Sequence, residues 1–314
     1  MLKWLYQNIG YLIMQEIKIN PQLTWLSFNV EDLRNTSELA TYGIDLETLQ
    51  YAEDKNERPH TEFIPDSQDF VLIFNSLDLL NSEVHYKTVP ITFVAQKNRL
   101  ITLYHPENEY LINQIKKYCF QNEPETVYHL LFISLFLISE AFFPYLEQID
   151  KSKEEINQKL REKTTKKNLL ALSDIETGML YIVSSANQNT LLLEQLKTKS
   201  IYRQFNETEK EQLEDAIIEA QQLASMTHLN AQILEQLAGT YNNVLNNNLN
   251  DNMTTLTIVS VLLAGLAVIT GFFGMNVPLP LTNQKDAWVW IIGACIILWL
   301  LYAALFRYII GRRQ

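Results

Sequence analysis

Two charge-free runs interrupt an otherwise mixed pattern of apolar and polar positions: Met253 to Phe273 and Ala287 to Phe306, joined by a 13-residue connection from Gly274 to Asp286. As helices, these runs of 21 and 20 residues would measure ~31 Å and ~30 Å, each matching a hydrocarbon core of ~30 Å. The pattern predicts two transmembrane helices in a C-terminal hairpin. Upstream, apolar residues recur at helical spacing: Leu213, Ile217, Leu223, Leu229, Ile233, Leu237, Tyr241, Val244 and Leu245. No proline intervenes between Thr208 and Pro278, and Gly239 is the only glycine before Gly265. The spacing therefore predicts one helix that passes from Thr208 into the first membrane run, ~100 Å long and able to associate with copies of itself.

The first third of the chain alternates differently. Leu23 to Asn29, Phe70 to Phe74, Val89 to Val94 and Leu100 to Tyr104 are rich in strand formers, and Asn98 marks a hairpin turn between the last two. Asn35 to Glu53 reads as helix with a break near Gly43. Thr126 to Ser139 is apolar and uncharged but only 14 residues long, which suits a buried helix laid on a sheet better than a membrane crossing. Leu146 to Lys167 is charged and helix-favouring, a solvated face. Ser173-Asp-Ile-Glu176 and Thr208-Glu-Lys-Glu211 have capping-box spacing. They predict helix starts, the first for a helix reaching about Lys199.

The chain has 314 residues, about 50 of them committed to the hairpin, and is 47% hydrophobic. Mean hydropathy is nonetheless −0.08, so the remainder must be strongly polar. The net charge of −11 argues against a nucleic-acid partner and suits a surface that meets cations. Cys119 and Cys295 are the only cysteines; no disulfide framework or thiolate metal site is implied. The apolar residues of the N-terminus are interrupted by Gln7 and Asn8 without a following cleavage site, so the segment reads as mature rather than as a signal peptide. Arg307, Arg312 and Arg313 follow the second run, which places the C-terminus, and with two spans also the N-terminus, in the cytoplasm. The expected location is a plasma (inner) membrane. Eleven acidic residues lie between Glu31 and Asp69 against Arg34, Lys55 and Arg58, a solvated acidic face.

Gly274-Met275-Asn276, after the first of two C-terminal membrane helices, resembles the signature of the CorA family of divalent-cation transporters. Glu57-Arg58-Pro59-His60-Thr61-Glu62, Lys97 to Thr102 and Trp25-Leu26 are similar to family segments in the same order. The resemblance covers nearly the whole chain. It implies an α+β cytoplasmic domain followed by a long stalk helix and a two-helix transmembrane hairpin, in a funnel-shaped homopentamer whose first membrane helix lines the pore. The expected divisions are 1–125 (cytoplasmic α/β domain), 126–207 (helical layer), 208–252 (stalk), 253–273 (first span), 274–286 (outer loop), 287–306 (second span) and 307–314 (basic tail).

One hairpin encloses no lumen, so a pore needs several chains around an axis. Asn242 to Asn252 holds seven asparagines, although asparagine is a poor helix former. One face of a symmetric bundle would place Asn246, Asn250, Met253, Leu256 (or Thr257) and Ser260 towards the axis, with an apolar constriction at Met253 and Leu256 able to close by dewetting. By count from the signature, the family's pore asparagine and apolar gate fall on Asn250, Met253 and Leu256. Gly274, Met275 and Asn276 would form the selectivity filter, the Asn276 amides accepting hydrogen bonds from the water shell that Mg²⁺ sheds reluctantly. The resemblance further implies Mg²⁺ as transported and regulatory ion, the matching stalk carboxylate by count from the signature being Asp215; Asp78 is the expected partner in holding the regulatory metal.

Influx would be driven by the membrane potential, with Co²⁺ and Ni²⁺ as further cargo. No P-loop, nucleophile, paired-acid or cofactor pattern stands out, so neither an enzyme nor a cofactor is expected. The loop departs from the glutamate-containing family segment: Val277-Pro-Leu-Pro-Leu-Thr-Asn-Gln-Lys-Asp286 carries charges that cancel. Two alternatives stay open, a zinc-transporting member of the same superfamily and a non-transporting, membrane-anchored coiled-coil receptor. No His-x-x-His or Cys-x-x-Cys spacing favours the zinc branch.

Overall fold

A computed structural model describes residues 14–33, 41–80, 87–275 and 286–311. The chain forms two compact units, Met1–Tyr241 and Asn242–Gln314.

The first unit is built on a six-stranded sheet of order β1-β2-β6-β5-β4-β3. Its strands are β1 (Met14–Asn20), β2 (Leu23–Asn29), β3 (His60–Ile64), β4 (Asp69–Leu77), β5 (Thr88–Gln96) and β6 (Arg99–Tyr104). Neighbours pair antiparallel except β2 and β6, which are parallel. The β5–β6 turn is a two-residue Lys97-Asn98 link between paired Gln96 and Arg99, where the asparagine signal predicts it. β4 is buried at every position, because both faces of the sheet are covered. Phe70, Leu72 and Phe74 pack on the larger helical side, while Val71 joins a smaller core with Leu26, Phe28, Leu49 and Ala52. Leu49 and Ala52 lie on α1 (Leu46–Glu53), capped by Asp45 accepting from the Thr48 amide at 2.7 Å. Gly43, just before it, has φ +79 and stands where a Cβ would meet Gln96 Nε2 at 2.9 Å. The predicted break at this glycine is present; the first half of the predicted Asn35–Glu53 helix lies largely outside the described residues, as does most of the N-terminal segment ahead of β1.

Helices α2 (Glu109–Asn122), α3 (Val127–Glu140), α4 (Phe143–Glu162) and α5 (Lys166–Leu196) follow. The apolar window that predicts a buried helix is α3, and Leu130, Leu131, Phe132 and Leu135 are each 0% exposed against the sheet core. Its two interior hydroxyls are spent locally: Ser134 Oγ donates to the Leu130 carbonyl at 2.7 Å and Ser139 Oγ to that of Leu135 at 3.2 Å. α5 is fastened to β4 by a reciprocal amide pair. The Asn75 amide donates to Asn189 Oδ1 at 2.9 Å, and Asn189 Nδ2 donates to the Asn75 carbonyl at 2.8 Å.

Both predicted capping boxes are corrected. α5 begins at Lys166, with Thr165 accepting from the Asn168 amide, so Ser173 lies inside the helix rather than at its start. Pairing of apolar Leu169 and Leu172 with the core extends the helix back past the predicted box. The last long helix, α6 (Glu207–Phe273), starts at an Asn206/Glu209 box instead of at Thr208. Asn206 Oδ1 accepts from the Glu209 amide at 2.8 Å and Glu209 Oε2 accepts from the Asn206 amide at 2.8 Å. The same carboxylate accepts from Thr126 Oγ1 at 2.6 Å, tying the cap of α6 to the cap of α3. That second partner is why the box forms at Glu209, which is buried, rather than at Glu211, which is exposed.

α6 is one helix of 67 residues, as its uninterrupted pattern predicts. Its buried positions run from Glu209 through Leu213, Ile217, Leu223 and Leu234 to Tyr241, and none follows. Tyr241 is the last anchor: its hydroxyl donates at 3.0 Å to the Asn157 carbonyl and lies 2.8 Å from Asn157 Oδ1. α7 (Ala287–Gly311) completes the second unit.

Candidate functional site

By length and composition, three helical stretches among the described residues could cross a membrane: 127–162, 166–196 and α6. Burial separates them. Over half of the apolar window of 127–162 is buried within the first unit, whereas none of the α6 window is. The 166–196 window is intermediate, 39% buried, so among the three the α6 window alone has no cover; the shorter apolar stretch Trp288–Tyr302 lies on α7.

The second unit nevertheless has an inside. On α6, the half-buried residues are Thr254, Ile258, Leu262, Gly265, Leu266, Ile269 and Phe273. At 100° per residue they occupy one arc of about 120°. On α7 the half-buried stripe is Ile291, Cys295, Leu298 and Tyr302, again at steps of three and four. The two stripes meet at Gly265, where an added Cβ would stand 3.8 Å from Leu298 Cδ2 and 3.9 Å from Tyr302 Cε2. Small residues at such contacts let helix backbones approach closely.

The sequence-predicted pore residues lie on the other side. Asn246, Asn250, Met253, Leu256 and Ser260 are all exposed, and helical geometry puts them within an arc of about 120° centred opposite the covered stripe. Met253 is 66% and Leu256 68% exposed, high for apolar side chains in the middle of a helix. The hydroxyls of this segment are satisfied within the helix. Thr257 Oγ1 donates to the Met253 carbonyl and Ser260 Oγ to the Leu256 carbonyl, both at 2.8 Å. Each hydroxyl oxygen keeps an outward lone pair and spends its proton locally.

At the end of α6, the Gly274 amide donates to the Thr270 carbonyl at 2.9 Å. A Cβ on Gly274 would stand 3.1 Å from that same backbone oxygen, so this close helix end favours glycine. Met275 is exposed. Asn276 and the outer loop through Lys285 lie outside the described residues, as do Arg312 and Arg313.

The predicted regulatory carboxylates are dissimilar. Asp215 is exposed on α6. Asp78 is buried at the end of β4, where its Oδ1 accepts from the Leu80 amide at 3.0 Å. Among the described residues no group of three His, Cys, Asp or Glu side chains is arranged to hold a metal. Near Asp215, Glu214 pairs with Lys197, while burial and the nearby Glu140 carboxylate hold the Glu219 carboxyl above its ordinary range. Sequence reasoning missed the anchors of α6, Glu209 to Thr126 and Tyr241 to Asn157. The Asn-x-x-Glu spacing at Asn206 signals the cap that positions Glu209, but the two contacts themselves join residues 83 and 84 apart and leave no local signal.

The family model described as CorA-like Mg²⁺ transporter protein matches residues 20–308. The cobalt/magnesium transport protein CorA of Methanocaldococcus jannaschii is 24% identical over 273 residues, covering 84% of this chain and 83% of that protein. The complete structure of the CorA magnesium transporter from Methanocaldococcus jannaschii superposes with a TM-score of 0.77 at 22% identity, over 91% of this chain and 90% of that one. The cytoplasmic domain of ZntB from Vibrio parahaemolyticus superposes with a TM-score of 0.57 at 12% identity, over 77% of this chain and 100% of that domain. At these identities the structural likenesses concern the fold. The match that runs from the first sheet strands through both apolar helices carries the assignment: the chain belongs to the CorA-like Mg²⁺ transporter family.

Proposed function

We propose that the protein is a homopentameric channel for hydrated divalent cations, Mg²⁺ first, with Co²⁺ and Ni²⁺ as further cargo. The observation that carries this reading is the two-sidedness of α6 from Thr254 onward, whose bare face continues back along the helix through Met253, Asn250 and Asn246. One face packs on α7, and the opposite face presents Asn246, Asn250, Met253, Leu256 and Ser260 with nothing of the chain upon it. Copies placed around an axis would turn that face inward. Amide and hydroxyl oxygens would then accept hydrogen bonds from the ion's water shell, and Met253 and Leu256 would form apolar rings that close the path by dewetting. α7, with Trp288, Trp290 and Trp299 exposed, would face lipid and its interfaces.

At the outer mouth, Gly274, Met275 and Asn276 form the filter. Amide carbonyls hold a hydrated Mg²⁺ without demanding that it shed water, whereas a carboxylate ring would slow its exit. Inward movement gains about 4.6 kcal/mol per 100 mV of inside-negative potential, with both termini cytoplasmic and 253–273 and 287–306 in the membrane. Cytoplasmic Mg²⁺ bound by Asp215 of one subunit and Asp78 of a neighbour would restrain opening. Such a site needs two chains.

Mg²⁺ uptake into proteoliposomes under an inside-negative potential tests the reading. Flux that Asn276→Ala reduces at least tenfold is the expected outcome. Zn²⁺ flux without Mg²⁺ flux would overturn the ion assignment, and no flux of either ion from intact oligomers would overturn transport itself.

A further inference from the structure

The segment resembling the family at Glu57 to Glu62 has no part in the conduction path, yet its loop borders a cavity of about 340 Å³ in the first unit. The cavity lies between the loop of residues 54–59, the start of β5 and the exposed side of α5. Its charged lining is Lys55, Arg58 and Lys87 against a single carboxylate, Glu57. That balance is the reverse of the chain's, whose net charge is −11. Arg58 and Lys55 are also the only cations, with Arg34, in a stretch from Glu31 to Asp69 that holds eleven acidic residues. Both line this one cavity.

The cations differ in what already holds them. Lys55 Nζ is committed, 2.7 Å from Glu107 Oε1 and 3.2 Å from Glu31 Oε1. Glu57 is turned to the backbone, accepting from the Arg58 amide at 3.1 Å, and is 3.6 Å from His60 Nδ1. Arg58 and Lys87 are exposed, and among the described residues neither is paired with a carboxylate. Among the described residues, a guanidinium and an ammonium thus line one cavity without a carboxylate partner.

Behind them the floor is polar. Thr88 Oγ1 and Ser185 Oγ are 2.7 Å apart, and Asn75 Nδ2 donates to Gln188 Oε1 at 3.4 Å. The wall adds the Ser184 hydroxyl and Tyr181, a residue 52% exposed. A planar guanidinium grips phosphate oxygens bidentately, an ammonium adds a point charge, and an exposed aromatic offers a stacking face for a base. The volume lies at the lower end of ligand-sized cavities, roughly 300–1,000 Å³, so phosphates would fill it while a base rests on the rim.

We propose that this cavity binds a soluble polyphosphate anion, and that a nucleoside triphosphate, its phosphates on Arg58 and Lys87 and its base on Tyr181, is the occupant it fits best. The proposal is of binding alone. It would expose the transporter to the anions that chelate its proposed cargo. Binding is read without flux, so it stands or falls independently of transport.

Isothermal titration of the metal-stripped full-length protein in detergent, with ATP, inorganic tripolyphosphate and adenosine as probes, tests the proposal. ATP should bind, adenosine should not, and the Arg58→Gln/Lys87→Gln double variant should weaken ATP at least tenfold while melting like the parent. Tyr181→Ala should weaken ATP several-fold and leave tripolyphosphate unchanged. Tripolyphosphate binding as tightly as ATP would support the anion site with the phosphates alone as ligand. No heat from either polyanion, or ATP binding indifferent to the double variant, would overturn the proposal.

Discussion

Two apolar helices of this chain meet opposite fates. α3, Val127–Glu140, is uncharged from Val127 to Ser139 and disappears beneath the sheet; the stretch of α6 from Met253 to Phe273 is likewise free of charge and is covered only on its α7-facing stripe. Composition does not distinguish them, but length and neighbours do. Fourteen residues reach ~21 Å, too short to span a bilayer, and a sheet face lies ready to cover them. Twenty-one residues reach ~31 Å, and the residues not against α7 require lipid or further copies of the chain. The comparison also divides α6 internally. Up to Tyr241 its buried stripe belongs to the first unit; after Tyr241 its apolar surface waits for partners outside the chain.

Charge insertion should break the symmetry most sharply. Leu131→Asp puts an unpaired carboxylate where exposure is 0% and should destabilise the first unit by at least about 3 kcal/mol, or prevent its folding. Val268→Asp, at a site 72% exposed, should leave the first unit's melting temperature unchanged and cost about 3 kcal/mol in membrane insertion. Thermal melting and membrane extraction of the two variants would separate the effects. Equal loss of soluble-domain stability would remove the distinction.

A smaller effect is expected at the head of α6. Glu209→Ala removes one arm of the capping box and the acceptor of Thr126, and should cost about 2 kcal/mol by denaturant melting. Glu211→Ala, at the position the Thr208 box predicts, should cost almost nothing. Tyr241→Phe, at the last anchor, should cost about 1 kcal/mol, whereas Tyr302→Phe should not change the first unit at all.

The smallest effect concerns pH. Burial, reinforced by the Lys55 ammonium, holds the buried His105 imidazole below its usual range. In the unfolded chain histidine takes its proton near about pH 6.5. Below that pH the unfolded state binds more protons than the folded state, so stability falls as pH falls from about 6.5 towards the lowered folded value. His129, also lowered by burial, acts in the same sense. A His105→Leu variant should therefore lose less stability than the parent between pH 7 and pH 5, measured by parallel denaturant melts.

Much of this architecture is legible in the sequence where one element carries its own pattern. β2, β4, β5 and β6 alternate or run apolar because they are inner strands, and the bounds of β2 match the predicted Leu23–Asn29. β1 and β3 are edge strands. β3, His60–Ile64, has no buried residue, so its pattern reads as an ordinary turn or strand rather than a core element. The parallel pairing of β2 with β6 joins residues 75 apart, as in Thr24 with Arg99, and no local signal encodes it.

Helix starts fail for another reason: both misplaced boxes satisfy the local spacing rule, and tertiary partners decide which of several candidates is used. The two faces of α6 are legible from spacing alone, but which face packs on α7 is not; that depends on Leu298 and Tyr302. The Asn276 filter rests on the family resemblance, since one chain contains no ring.

The central claim is that the bare face of α6 lines a water-filled path. Single cysteines placed from 246 to 269, in a background with Cys119 and Cys295 replaced by serine, should be tested with a membrane-impermeant thiol reagent in proteoliposomes. Rapid labelling at 246, 250 and 260, labelling at 253 and 256 when the path is open, and at least tenfold slower labelling at 254, 258, 262, 266 and 269, is the predicted result. Uniform protection across the membrane run, or labelling that follows the α7-facing stripe, would contradict the account.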